Sequence, residues 1–113
     1  MDEIPRETLV LLAKRFKLLA HPDRLGILMH LCRAERNVGE LQALTGLGQA
    51  NLSRQLSMLD AGGLVRRRAE GTRAYYSLAD GSLPEICGVA KQSIEARHDA
   101  ILATLRPRRR ARR

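Results

Sequence analysis

The sequence predicts a mainly α-helical fold: five helices, with one small two-stranded β-hairpin set between the fourth and the fifth. Three observations carry that expectation. Apolar residues recur at intervals of three and four over most of the chain, the period of a helix with one buried face. Two of these stretches are short and are separated only by Gly46-Leu47-Gly48, a turn between helices. After Gly62-Gly63 the period changes, and Leu64 to Arg68 and Arg73 to Leu78 read as strands around a turn that contains Gly71.

The first helix is expected over residues 6 to 20. Leu9, Leu12, Phe16 and Leu19 form one stripe, and Leu11 and Leu18 a second. A surface helix needs one apolar stripe, so the second points to a further partner, a second copy of the chain. His21-Pro22-Asp23 ends this helix and starts the next, because Pro is favoured in a first turn and disfavoured inside. The second helix should run to about Arg33, with Leu25, Leu28, Met29 and Cys32 inward and Gly26 in its middle as a place for close packing. Asn37 with Glu40 three residues on is a capping-box start. The third helix then spans Val38 to Thr45, turns Val38, Leu41 and Leu44 inward, and stops at Gly46. The fourth runs from Gln49 to Ala61 on Leu52, Leu56 and Leu59. A fifth extends from Leu83 to about Leu105 with near-heptad apolar spacing suited to packing on another helix.

Bulk properties set limits. A chain of 113 residues is one domain, here 1–105, and three aromatics leave its core to aliphatic side chains. The net charge is +8, but six Arg in the last eight positions supply most of it, and removing that tail lowers the charge to +2. Residues 106–113 hold like charges and almost nothing apolar, so a disordered tail is expected. The acidic start MDEIPRETLV is no signal peptide, and no apolar run approaches a membrane span. Two cysteines make no disulfide framework or zinc-finger spacing. A cytoplasmic protein with reduced thiols and no membrane contact follows. No Ser/His/Asp order, paired carboxylates or glycine-rich phosphate loop is present, which argues against an enzyme.

The fourth helix carries the functional expectation. Turned away from its leucines are Ala50, Arg54 and Ser57, with Gln49 and Asn51 in the first turn, small and polar side chains with one Arg; Ser53 and Gln55 complete the expected DNA contacts of this helix. Such groups suit the major groove of double-stranded DNA, where amides and guanidinium groups read base edges. The hairpin after it concentrates Arg66, Arg67, Arg68 and Arg73, placed to meet phosphate or the minor groove. Two short helices with the second as reader, followed by a basic hairpin, are a helix-turn-helix with a wing. A winged helix for protein or RNA contacts is the alternative, and an apolar patch in place of these polar readers would mark it.

The stretches LLAHPDRLGIL (18–28), NVGEL (37–41), LSRQLSMLDAGGLVRRR (52–68) and EGTRAYYSLAD (70–80) resemble the ArsR/SmtB family of small bacterial transcriptional repressors. The resemblance implies a winged helix-turn-helix homodimer, joined through the first and last helices, that binds an imperfect inverted repeat. It also implies release from DNA by an inducer, a metal ion or a thiol-reactive species. A regulator of this fold without any sensor is the alternative. The cysteine pair that arsenic- and cadmium-responsive members carry in the third helix is missing, since Asn37-Val38-Gly39 stands there. On the last helix Glu95, His98 and Asp99, with Asp80 just before it, are candidate metal ligands, but the upstream histidine of zinc-type members is absent. Cys32 and Cys87 are the candidate redox sensor, with a purely structural role for both as the alternative. No resident cofactor is expected beyond such a metal ion.

Overall fold

The computed structural model describes residues 3–105. The order is α1 (Arg6–Leu19), α2 (Pro22–Leu31), β1 (Arg36–Asn37), α3 (Val38–Thr45), α4 (Gln49–Ala61), β2 (Val65–Glu70), β3 (Arg73–Leu78) and α5 (Leu83–Leu105). The chain divides into a first unit ending at Gly81 and a second beginning at Ser82. The expected tail at 106–113 lies outside the described residues.

In the first unit, Ile27, Leu28 and Leu31 of α2, Leu41 of α3, Leu52, Leu56 and Leu59 of α4, and Leu64 ahead of the wing are all buried, and α2, α3 and α4 pack on one another. Full burial of a leucine is worth about 1.5–3 kcal/mol, so this cluster is the main force holding α2, α3 and α4 together. The phase of α2 differs from expectation. Arg24, Ile27, Leu28 and Leu31 are buried, Leu25 and Cys32 are half-buried, and Met29 is exposed. On α3 only Leu41 is buried, and Leu44 is exposed. Short helices offer too few turns for periodicity to fix the inward direction, and the buried Arg24 leaves no mark on an apolar stripe.

The helix ends follow their local chemistry. His21 caps α2, its Nδ1 accepting from the Asp23 N–H at 3.1 Å, with Pro22 in the first turn. The Asn37–Glu40 capping box forms in both directions, at 2.8 and 2.9 Å. Gly46 closes α3 in the left-handed region. α4 ends in a Schellman motif: Gly63 N–H donates to the Asp60 carbonyl at 3.0 Å and Leu64 N–H to the Leu59 carbonyl at 2.9 Å. Gly63 has φ +76°, which a side chain would oppose. Gly26 serves no close approach, because an added Cβ would meet nothing within 4 Å.

The hairpin is tighter than expected, and among the described residues it belongs to a three-stranded antiparallel sheet in the order β1-β3-β2. β2 and β3 pair from Val65↔Leu78 to Glu70↔Arg73, leaving Gly71-Thr72 as a two-residue loop. Positive φ at Gly71 alone matches a type II′ turn. The added strand β1 pairs Arg36 with Tyr76 and Asn37 with Tyr75, anchoring the wing beside the start of α3. Two residues carry no periodic signal, so β1 was illegible in the sequence.

Leu19 is the buried residue of α1, while Leu9, Leu12 and Phe16 of the same stripe are exposed and Leu11 is 64 % exposed. Among the described residues the second unit consists of Ser82 and the long helix α5, with exposed Val89, Ile94 and Ile101. No helix among the described residues is long and apolar enough to cross a membrane.

Two glycines should respond in opposite directions in urea unfolding. Gly63→Ala should destabilise by about 1–2 kcal/mol because of its left-handed backbone. Gly26→Ala should stabilise by about 0.4–1 kcal/mol, since it reduces unfolded-state entropy and meets no neighbour.

Candidate nucleic-acid interface

The stripe of Leu52, Leu56 and Leu59 turns one face of α4 inward and fixes which side chains remain outside. Gln49, Ala50, Ser53, Arg54 and Ser57 are exposed. Gly48 caps α4 without a side-chain bond, and its first turn holds no acidic residue. The amide-rich, positive end of the helix is thus left open to an anion.

Beside this end runs an open groove of about 1220 Å³. Gln49, Ala50 and Ser53 form one wall, and Arg67, Thr72, Arg73 and Tyr76 of the wing form another. The start of α3, with Asn37, Val38, Glu40 and Ala43, completes it. Alternation along β2 explains the choice of arginines. Arg67, opposite Tyr76, faces the groove, while its neighbours Arg66 and Arg68 point to the other side of the sheet. Glu40 adds an acid to the wall, but its carboxylate accepts from the Asn37 N–H.

Arg68 departs from its expected role. Its guanidinium donates to Glu35 at 2.7 and 3.2 Å and to Glu70, and lies 4.8 Å from the ring centroid of Tyr75. These contacts raise its pKa, chiefly through the hydrogen bond to Glu35. The same hydrogen bond, aided by the Arg68 charge and opposed by slight burial, lowers Glu35 below its ordinary 4.5. Two carboxylates thus claim Arg68 for the wing's own geometry, leaving Arg66, Arg67 and Arg73 as the wing cations directed to solvent or groove.

Gln55 is a clear correction among the expected readers. It is 6 % exposed, because positions 52, 55, 56 and 59 share the inner side of α4. Its amide oxygen accepts from Arg24 at 3.0 Å and its amide nitrogen donates to Asn51 at 3.1 Å. Asn51 is half-buried and donates to Asp23 at 3.2 Å, so it too is engaged within the fold. The 52-55-59 spacing could have flagged Gln55. Tyr76, Thr72 and Ala43, which line the groove, carried no signal without the sheet register.

The sensor candidates fall in both units. Cys32 follows α2 and Cys87 lies on α5, both half-buried thiols. Glu95 pairs with Lys91 at 3.5 Å. Among the described residues no three His, Cys, Asp or Glu side chains gather as a metal site, and Glu95, His98 and Asp99 do not make one.

A capped short helix, a Gly turn, an exposed polar helix and a basic antiparallel wing define a winged helix-turn-helix protein. The sequence pattern of the "bacterial regulatory protein, arsR family" matches residues 21–67. An HTH-type transcriptional regulator of Mycobacterium tuberculosis, Rv0081, is 42 % identical over 81 residues, 71 % of each chain. Its crystal structure superposes with a TM-score of 0.75 at 36 % identity, covering 88 % of this chain and 99 % of that one. A biofilm growth-associated repressor of Agrobacterium fabrum is 39 % identical over 80 residues, 71 % of this chain and 65 % of its own. The solution structure of a homodimeric winged helix-turn-helix domain from Mycobacterium bovis has a TM-score of 0.68 at 29 % identity, covering 96 % of this chain and all of that one. The chain belongs to the ArsR family and is a transcriptional regulator.

The wing clamp has a worked pH sign. Because folding lowers the Glu35 pKa, its contribution is complete above the ordinary value of 4.5 and is lost as pH falls through the lowered one. Side-chain resonances of Arg68 and Tyr75 should shift with an inflection below 4.5. Glu35→Gln should flatten most of that titration; unchanged curves would contradict the clamp.

Proposed function

We propose that this regulator is a homodimeric repressor that holds an inverted-repeat duplex through α4 and the wing. The observation that carries the reading is the shared groove: Gln49, Ala50 and Ser53 stand on one wall and Arg67 and Arg73 on the other. A major-groove edge against α4 would meet an amide, a methyl, a hydroxyl and the nearby Arg54, groups that discriminate base pairs. Arg67 and Arg73 would meet phosphates, which position the reader without specifying sequence. Two copies related by a two-fold axis would set their α4 helices about 34 Å apart, one turn of duplex. The exposed apolar side chains of α1 and of α5 support pairing of copies through those helices, since patches of that kind mark interaction surfaces. A docking module for protein or RNA is disfavoured, because the groove wall of α4 is polar.

In this reading the release signal acts on thiols. No three-donor metal cluster forms among the described residues, whereas Cys87 keeps a partly exposed thiol in the N-terminal part of α5, within reach of a small oxidant. Peroxide would take two electrons from a cysteine thiol, its O–O bond breaking as the S–O bond forms, to leave a sulfenic acid and water.

Fluorescence anisotropy on the duplex upstream of the coding region tests the binding step. Affinity should exceed that for scrambled duplex at moderate salt and fall steeply as salt rises. Arg54→Ala should reduce the preference for the upstream duplex by about tenfold or more. Arg67→Ala and Arg73→Ala should each weaken both duplexes alike and reduce the salt slope by about 1. Equal binding of both duplexes by the wild-type protein would contradict the proposal. For release, peroxide should dissociate the wild-type complex, and release that persists in both Cys32→Ser and Cys87→Ser would contradict the thiol reading.

A further inference from the structure

We infer that Arg24 is a positioning residue for DNA recognition, and that a closed ring of hydrogen bonds from Asp23 and Arg24 to Asn51 and Gln55 sets the rotation of α4. This rests on the reading of α4 as the base-reading helix.

Arg24 is 8 % exposed, an unusual place for a guanidinium. The groups its guanidinium reaches are all neutral. Nε donates to the Leu18 carbonyl at 2.6 Å and Nη2 to the Lys17 carbonyl at 3.4 Å, at the C-terminal end of α1. That is the negative end of the helix dipole, which favours a cation. Nη1 donates to Gln55 Oε1 at 3.0 Å and lies 3.7 Å from Met58 Sδ. One buried side chain therefore ties the end of α1 to the middle of α4.

The bonds continue in one direction. Gln55 Nε2 donates to Asn51 Oδ1 at 3.1 Å, and Asn51 Nδ2 donates to Asp23 Oδ2 at 3.2 Å. Asp23 precedes Arg24, so the ring closes on the first turn of α2. Arg has only donors and an ionised Asp only acceptors, so both carboxamides between them have their orientation fixed. The buried cation and the carboxylate are thus joined through two amides. Arg54 also donates to Asn51 Oδ1, at 3.5 Å, which connects the ring to an exposed reader.

Leucine packing resists separation of helices but is weakly directional. Hydrogen bonds from Asn51 and Gln55, one turn apart on α4, to adjacent residues of α2 oppose rotation of α4 about its axis. A small rotation would move Gln49, Ala50, Ser53 and Arg54 together out of register with base edges. Nothing in the ring reaches the groove itself, so its loss should cost discrimination rather than general affinity.

The test uses the full-length protein and four variants: Arg24→Met, Gln55→Leu, their double, and Gln55→Glu. The last keeps an acceptor for Arg24 but removes the donor to Asn51, at nearly constant volume. Affinities for upstream and scrambled duplex are measured together with amide hydrogen exchange in the absence of DNA. Each single variant should lower the preference for the upstream duplex by about tenfold, leave scrambled-duplex affinity and its salt slope unchanged, and speed exchange in the first half of α4. The double should lose no more than the worse single, because both break one ring. Wild-type discrimination and exchange in Gln55→Glu would overturn the proposal, as would multiplicative losses in the double. If the wild-type protein itself shows no preference, the repressor reading fails, and unchanged exchange in Gln55→Glu and Arg24→Met still decides against the ring.

Discussion

Burial of Leu52, Leu56 and Leu59 is the constraint on which the rest of the winged unit depends. Three leucines on one side of a 13-residue helix contribute roughly 5–9 kcal/mol by transfer arithmetic. That is large beside the net stability of a small domain. Once they are inside, Gln49, Ala50, Ser53, Arg54 and Ser57 have nowhere to point but outward. That exposed polar surface is a by-product of core packing, held to direction by polar contacts.

The wing depends on a different balance. Four arginines close together repel one another and would splay a free hairpin. Glu35 and Glu70 neutralise one of them, Tyr75 stacks on it, and β1 adds a third strand. The cost is one fewer cation for a polyanion. The gain is a fixed sheet that holds Arg67 on the groove side, with Arg73 lining the groove at the hairpin end. Charge count alone therefore overstates what this wing can offer to phosphate.

The long-period features were legible in the sequence, and the short or cooperative ones were not. α3, α4 and α5 fall at their expected bounds because caps, glycines and apolar repeats all agree. β1, two residues long, exists only through its pairing with Tyr75 and Tyr76, which no local pattern encodes. Gln55 and Arg24 were missed for a common reason: a polar residue at a core-facing position reads as exposed until its partner is known. Each is the other's partner, so neither could be placed alone. Arg68 follows the same logic, since Glu35 stands 33 positions away in the chain. Cys32 and Cys87 were legible as thiols, but reactivity depends on surroundings that spacing does not encode.

Under the proposed function, α4 and the groove side of the wing form one preorganised surface for duplex DNA. Chemical-shift mapping of the isotope-labelled protein, titrated with its upstream duplex, tests that claim most directly. Perturbations should concentrate in the backbone from Gln49 to Arg54 and in the Arg67 and Arg73 side chains, with the amides of Ile27, Leu28 and Leu41 unmoved. Shifts confined to α1 or α5, with Gln49 to Arg54 silent, would contradict it.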